Sequence, residues 1–474
     1  MMKSALKKFT FLILVCIISS SASAKPEALY NTIKQMVNKQ AGGDVNFGIY
    51  VKNLETDKVE FAIHPTRLFM PASTTKLFTA YTALNYLGSD YKFKTSLMTK
   101  RPSDGGVISG DLYIKFVGDP SFTYEDLKSL FASAGITKIK GNVVVDDSMM
   151  DSYRNAVGGF TWDNQPFCYA APVSAIIIDK NCCKAWMKPS VIGKQASLNI
   201  ERPYVLSIAN TVETVAPRKS ECPYKSRYIG NNKYEVYGCM FNDSQAETKL
   251  NFAMPDNHLM AKEYIRKALE ETRIKLKGDV IIGKANAAET IVVATHESSA
   301  LEDILSVVLQ DSCNLSSAAL FKHVAAKYTG AQGTDSDGEV VMRNFLLNQG
   351  LDSRTFRIRE GAGESRYNLI APKALVDLLA KIYRSKSRDV FISHMPQYST
   401  NGTLKHRSVD NPNYKYIYAK TGTLDHTSSL AGLYLPPKGA KYAFAIMFNN
   451  YAVPNWDVKV LEDKILGLLV RGVR

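Results

Sequence analysis

Ser73 and Lys76 carry the most reactive pairing in this chain. In Pro71-Ala72-Ser73-Thr74-Thr75-Lys76-Leu77-Phe78-Thr79-Ala80 they stand three residues apart, which on a helix puts both on one face. A serine hydroxyl is a weak nucleophile until a base lies within hydrogen-bond reach. A lysine one turn away can be that base if burial or neighbouring positive charge keeps it neutral. The segment from Thr75 onward reads as an amphipathic helix, whose N-terminus favours developing negative charge. Alone the spacing is weak: Ser4-Ala5-Leu6-Lys7 repeats it at the chain start, and an isolated Ser-x-x-Lys is usually a helix start with a serine cap. Two later segments change the weighing, Ser312-Cys313-Asn314 and Lys420-Thr421-Gly422-Thr423.

In their order, and in their expected placement on a helix, an interhelical loop and a strand, the three segments resemble those of the serine acyl-enzymes that react with penicillin. That resemblance gives each residue a task. Ser73 attacks a carbonyl and Lys76 takes its proton. Ser312 relays that proton to the leaving amine. Asn314 holds a substrate amide and fixes Lys76. Lys420 anchors a carboxylate and, as a nearby cation, depresses the Lys76 pKa. Gly422 lets backbone approach without a side chain in the way. The strand edge with Thr421 and Thr423 can pair with an extended peptide. The N–H groups of Ser73 and Thr423 form an oxyanion hole.

The resemblance reaches further. Nearly the whole mature chain is similar to the penicillin-binding protein 4 type, the class C low-molecular-mass D-alanyl-D-alanine carboxypeptidase/endopeptidases of peptidase family S13. It runs through the Ser73 segment, Gly110 to Pro120, Trp162 to Pro172, Gly363-Glu-Ser365-Arg366-Tyr-Asn368-Leu, Gly402-Thr-Leu404 and Ala419 to Leu424. The gap of 239 residues between Ser73 and Ser312 is part of it, since relatives such as the class A β-lactamases place these motifs far closer together. It also implies that Asp163 and Arg366 bind the ammonium and carboxylate of a meso-diaminopimelate side chain; the plainer reading is a pair of surface or structural polar residues. Three departures stand out: Cys313 where relatives carry Asp, Glu360 before Gly361 where they have Asp, and Glu364 where an apolar residue is usual.

These groups need elements to hold them. Residues 26–45 read as a helix, Val45 to Val51 and Lys58 to Ile63 as strands, and the Ser73 helix runs to about Leu87. Phe93 to Lys100 and Val107 to Val117 read as strands. A helix at Tyr124 to Ala134 followed by Ile136 to Val145 is echoed by a helix at Ala261 to Thr272 followed by Ile274 to Ile282. Two such units point to one α/β subdomain split in sequence, with a strand-rich module between them. Helices follow from Leu301. Tyr416 to Lys420, Ser428 to Tyr434 and Tyr442 to Asn449 continue a sheet. The last helix carries Leu461, Ile465, Leu468 and Leu469, a stripe that suits packing on the sheet better than a membrane anchor.

The expected fold is α/β: a serine β-lactamase/penicillin-binding-protein transpeptidase-like domain, an antiparallel sheet flanked by helices, with a large inserted α/β domain and a small β module within it. The expected boundaries are 25–92 plus 290–474 for the catalytic domain, 93–185 plus 251–289 for the insert, and 186–250 for the module.

The 474 residues suffice for two or three domains, and 45% hydrophobic with 22% charged residues is ordinary for a globular protein. Residues 1–24 read as a secretory signal: basic Lys3, Lys7 and Lys8, an apolar run from Phe9 to Ile18, and Ala22-Ser23-Ala24 as the cleavage site. The alternative is an uncleaved anchor. Val15 before Cys16 argues against a lipoprotein. Loss of three lysines takes the net charge from +14 to +11. A solvated basic surface is the simple account, with weak attraction to an anionic membrane or wall surface as the other. No basic-aromatic module points to nucleic acid.

Export permits disulfides. Cys222 with Cys239 is the first expected pair, Cys168 with Cys182 or Cys183 the second, and Cys313 a free, buried thiol. Neither cysteines nor histidines show metal-ligand spacing, so no cofactor is expected. The chain reads as a periplasmic or envelope serine DD-peptidase acting on peptidoglycan stem peptides and acylated by β-lactam antibiotics. A β-lactamase, a transpeptidase and an envelope binding protein without turnover are the alternatives.

Overall fold

The structure is a computed structural model that describes residues 27–151, 158–217, 222–243, 247–407 and 411–472; the leader expected at 1–24 lies outside them. The chain divides into two compact units. One comprises Met1–Thr74, Gln349–Arg357 and Leu369–Arg474, the other Thr75–Asn348 and Ile358–Asn368. The helices Lys76–Leu87, Leu301–Leu309, Asn314–Thr329 and Asp335–Asn348 pack on one another. Leu315 and Ala319 of the third are buried in the same core as the insert.

The first unit is built on a five-stranded antiparallel sheet in the order Ile417–Leu424, Thr427–Tyr434, Tyr442–Asn449, Asn46–Asn53, Val59–Ile63. All eight residues of each of the strands Thr427–Tyr434 and Tyr442–Asn449 are buried, as expected for strands covered on both faces. The helices Pro372–Arg384 and Asn455–Gly472 pack on this sheet. Val458, Leu461, Ile465, Leu466 and Leu469 of the last helix enter the core with Ile33 and Val37 of the helix at 27–40. The terminal apolar stripe is therefore core. Among the described residues no helix is long and apolar enough to cross a membrane.

The second unit holds a mixed five-stranded sheet, Val280–Ile282, Val143–Asp146, Leu112–Lys115, Lys94–Thr99, Ile291–Glu297. The two echoed segments lie side by side as parallel strands, Val143 opposite Val280 and Lys138 opposite Lys275. A third copy, Val107 to Ile114, pairs with the first in the same sense. At the shared turn a Cβ on Gly278 would meet the Gly141 carbonyl oxygen at 2.5 Å, and one on Gly141 the Gly110 oxygen at 2.7 Å; the stacking of the three turns requires glycine there. Between the repeats lie two three-stranded sheets. Disulfides join Cys168 to Cys182 and Cys222 to Cys239. Cys183 is the buried free thiol, whereas Cys313 is free but half-buried. It caps the Asn314 helix and accepts a hydrogen bond from Ser316 Oγ at 3.2 Å, so the expectation of a buried Cys313 is corrected.

Candidate active site

In the first unit Ser73 sits half-buried in a 310 turn, Ala72–Thr75, directly ahead of the Lys76–Leu87 helix. Residues 76–84 of that helix are all buried, so it is a core helix and not the amphipathic one expected. Ala72 has φ of 48° and no exposed surface. A non-glycine residue in that region costs roughly 1–3 kcal/mol and persists only where its surroundings hold it. Here they do. The Pro71 carbonyl accepts from Thr74 Oγ1 at 2.7 Å and Ser429 Oγ at 2.6 Å. Asn449 accepts from the Met70 N–H at 2.8 Å and donates to the Met70 carbonyl at 3.2 Å.

Lys420 lies on the edge strand Ile417–Leu424 and is fully buried, its Nζ donating to the Thr421 carbonyl at 3.1 Å. The strand's outer edge is bonded as far as Ala419, whose N–H reaches the Pro396 carbonyl at 2.9 Å. Thr421 Oγ1 donates to Thr403 Oγ1 at 2.8 Å, which ties the strand to the Gly402–Leu404 turn. A Cβ on Gly422 would lie 2.5 Å from Pro71 O and 3.0 Å from Ser73 N, and against Ser429 Oγ. The Ser73 amide thus lies beside the residue that precedes Thr423, an arrangement in which two N–H groups can converge on one oxygen.

The second unit carries Lys76 and its surroundings. Lys76 is fully buried; its Nζ donates to Asn314 Oδ1 and to the Ala362 carbonyl, both at 2.6 Å. Burial pulls its pKa down, while the anionic forms of Glu364, Glu360 and Cys313 pull it up. The depression therefore comes from desolvation, where neighbouring positive charge had been the second expected source. Asn314 starts the helix Asn314–Thr329, and its Nδ2 donates to the Tyr169 carbonyl at 2.9 Å. Tyr169 is in the Cys168–Ala170 turn, which the Cys168–Cys182 disulfide anchors. Ser312, just before, has φ of 59°, a second strained non-glycine residue at a motif position.

Glu360 is buried, and its carboxylate accepts from the N–H groups of Ala362, Gly363, Glu364 and Ser365 and from Asn368 Nδ2. It shapes the loop whose Ala362 carbonyl meets Lys76. Glu364 follows in that loop. Its carboxyl is pushed up strongly by burial and by Glu360, with Lys76 opposing.

A cleft of about 430 Å3 opens beside Asn314, lined among others by Ala318, Lys322, Asp335, Arg359 and Glu364. Lys322 is buried and bridges Asp151 at 2.7 Å and Asp335 at 3.2 Å. Asp335 is pushed up to about 6, chiefly by burial. Asp163 is exposed on the 310 turn Trp162–Asn164, and the Arg366 N–H donates to the Gly159 carbonyl at 2.9 Å; neither is among the cleft's lining residues. Lys322 escaped the sequence reading. Asn314, Ala318 and Lys322 recur every four residues on one helix face, and that spacing was the available signal.

The sequence profile of the D-Ala-D-Ala carboxypeptidase 3 (S13) family matches residues 29–471. Over 423 residues the chain is 28% identical to the D-alanyl-D-alanine carboxypeptidase DacB of Haemophilus influenzae, covering 87% of each. It is 27% identical to a D-alanyl-D-alanine carboxypeptidase of Actinomadura, covering 92% of this chain and 84% of the relative. The crystal structure of penicillin binding protein 4 (dacB) from Haemophilus influenzae superposes with a TM-score of 0.84 at 27% identity, covering 92% of this chain and 99% of that one. A second structure of that protein is complexed with a β-lactam.

Proposed function

The chain belongs to the D-Ala-D-Ala carboxypeptidase 3 (S13) family, and from that premise we propose that it cleaves D-Ala-D-Ala peptide termini of peptidoglycan through an acyl-enzyme at Ser73. The supporting observation is Lys76: fully buried, bonded to Asn314 and Ala362, with desolvation favouring its neutral form. A lysine so held is suited to take a proton from a serine.

In this reading Lys76 Nζ accepts the Ser73 hydroxyl proton as Oγ adds to the carbonyl of the penultimate D-Ala. The N–H groups of Ser73 and Thr423 stabilise the oxyanion. Ser312 passes the proton to the departing D-Ala amine, and Lys420 with Thr421 binds its carboxylate. Water then releases the peptide. Asn314 keeps Lys76 in place. Asp163 and Arg366 contact a diaminopimelate side chain, which would extend the activity to D-Ala-meso-diaminopimelate cross-links. The expected site of action is the periplasm or cell envelope.

Incubation of the mature protein with a fluorescent penicillin, beside Ser73→Ala, tests this by intact mass. One stable adduct on the parent alone supports the reading. Absence of any adduct, with penicillin left intact, overturns it. Rapid loss of penicillin with no lasting adduct points to a β-lactamase instead.

A further inference from the structure

Arg407 has no task in the scheme above, yet it is only 5% exposed and sits at the centre of a bonded network in the first unit. Its Nη2 donates to Glu462 Oε2 at 2.8 Å and its Nη1 to Asp463 Oδ1 at 3.1 Å. Both acids belong to the last helix, Asn455–Gly472, and Glu462 has no exposed surface. Tyr398 donates to the Asp463 carboxylate, and the Tyr414 hydroxyl to the Asp463 carbonyl at 2.7 Å. A buried ion pair rarely gains net stability over apolar residues of the same volume. What it supplies is direction, and two chains of bonds lead from this one to the edge strand Ile417–Leu424.

The first runs through Glu462. Its other oxygen, Oε1, accepts from Ser428 Oγ at 2.7 Å, and Ser428 stands directly opposite Thr423 in the antiparallel pair. The next residue, Ser429, stands opposite Gly422 and donates to the Pro71 carbonyl at 2.6 Å. Successive side chains of a strand point to opposite faces. The strand Thr427–Tyr434 is therefore fastened on one face to the last helix and on the other to the turn that carries Ser73. The second chain of bonds runs through the backbone of Arg407. Its N–H donates to the Leu404 carbonyl at 3.1 Å, and its carbonyl accepts from Ser399 Oγ at 3.0 Å. The Ser399 N–H reaches the same Leu404 carbonyl at 3.1 Å. These bonds close the Gly402–Leu404 turn, where Thr403 accepts from Thr421 Oγ1 at 2.8 Å.

We infer that Arg407 is a positioning residue that holds Thr421 and Thr423 in a fixed relation, Thr421 through the Gly402–Leu404 turn and Thr423 through Glu462 and Ser428. The inference rests on the roles proposed for the two threonines, Thr421 at the terminal carboxylate and the Thr423 N–H at the oxyanion. Both must meet one D-Ala-D-Ala unit together, and a misplacement of about 1 Å can cost on the order of 100-fold in rate.

The experiment reads the clamp and the reaction separately. Threonine methyls of the whole protein are labelled with 13C, and Thr421→Ser and Thr423→Ser assign the two signals. In Arg407→Met both should shift, although neither residue touches Arg407, while Thr137 of the second unit stays in place. Unmoved Thr421 and Thr423 signals, or shifts spread through both units, overturn the inference. Arg407→Lys keeps a cation but lacks the fork that reaches two carboxylates. It serves as the second variant, with the same expected shifts, where Arg407→Met does not fold.

Hydrolysis of an acylated D-Ala-D-Ala peptide is compared with that of its C-terminal amide. Thr403→Val cuts the exposed link to Thr421, so the preference for the acid in kcat/KM should fall about 10-fold with kcat little changed. Ser428→Ala cuts the link to Thr423, so kcat should fall about 10-fold for both peptides with the preference kept. Arg407→Met should show both losses. An Arg407→Met that is folded and keeps the parent's preference and kcat overturns the inference. Shifted threonine signals with no turnover and no penicillin adduct on the parent leave the clamp standing and remove the acyl-enzyme.

Discussion

Lys76 Nζ donates to Asn314 Oδ1 at 2.6 Å across 238 residues of chain. This bond satisfies an Nζ with no exposed surface, and the second bond from Asn314, to the Tyr169 carbonyl, fixes which end of the amide faces the lysine. Asn314→Leu removes the acceptor and keeps the volume. An ordinary hydrogen bond is worth about 0.5–1.5 kcal/mol, and losing the one that places Nζ should slow penicillin acylation roughly 2- to 10-fold. Asn314→Asp keeps an acceptor and adds an anion, which favours the ammonium. Its acylation profile should move to higher pH, as stopped-flow rates between pH 6 and pH 10 would show.

The Gly422 contact makes a second prediction. Gly422→Ala places a methyl against the Pro71 carbonyl and the Ser73 amide, and neither can retreat freely because Ser429 and Asn449 hold the Pro71 segment to the sheet. Thermal melts should show a loss of about 1–3 kcal/mol. Acylation should fall well beyond what that loss predicts, because the displaced amide is the proposed oxyanion donor.

The two disulfides should differ in effect. Cys168–Cys182 holds the turn that supplies the Tyr169 carbonyl to Asn314, whereas Cys222–Cys239 lies within the β module. Cys168→Ser should cost about 3 kcal/mol for a loop of this length and also slow acylation at temperatures where the protein stays folded. Cys222→Ser should lower the melting temperature and leave the acylation rate unchanged. Equal acylation losses in the two variants would argue against the clamp.

Much of this was legible in the chain, for physical reasons. The buried strand Tyr442–Asn449 reads as a nearly continuous apolar run, and the Cys222 pair flanks a short strand return. The last helix shows its core stripe, and the repeated Gly-Asp or Gly-Asn turns mark the parallel strands, although the copy at Gly110 went unseen because it lacks a preceding helix. The site was legible as residue types and order. What stayed hidden depends on distant partners. The 310 turn at Ser73 is set by Ser429 and Asn449, more than 350 residues away, and local helical spacing could not reveal it. The cleft beside Asn314 brings Asp151 and Asp335 to Lys322, and Cys313 is half-buried because it caps a helix at the margin of the core.

His323 gives the second unit an acid sensitivity. Its Nδ1–H donates to the Val117 carbonyl at 3.0 Å and its Nε2 accepts from Tyr91 at 2.7 Å, a neutral tautomer in a dry site. Burial lowers its pKa from 6.5 to about 4. The unfolded chain therefore binds a proton between these values that the folded one refuses. The contribution is complete above pH 6.5 and is lost as pH falls toward 4, by roughly 3 kcal/mol. Melts of the parent should drop across that window, and His323→Gln, which cannot protonate, should show a shallower slope there.

Lys322 supplies the last test, because it joins two carboxylates that would otherwise face each other in a buried place. Asp151 at 2.7 Å and Asp335 at 3.2 Å both depend on it, and Lys322 itself is 3% exposed. Lys322→Met preserves the length of the side chain and deletes the charge. Breaking a buried ion pair from one side costs about 3–5 kcal/mol, because an uncompensated charge is left behind. Here that cost has an escape: Asp335, already pushed up to about 6, can take a proton. Without the lysine its pKa rises further, since the group that opposed burial is gone. The folded variant then holds a proton that the unfolded chain releases near pH 4, so stability falls as pH rises through the folded pKa. The variant should be markedly less stable than the parent at pH 8 and closer to it at pH 5. Asp335→Asn in the same background should recover much of the loss at pH 8, because it removes one of the two repelling charges. Denaturant melts at the two pH values decide the matter: a Lys322→Met deficit that is the same at both would show that packing, and not charge, is what Lys322 contributes.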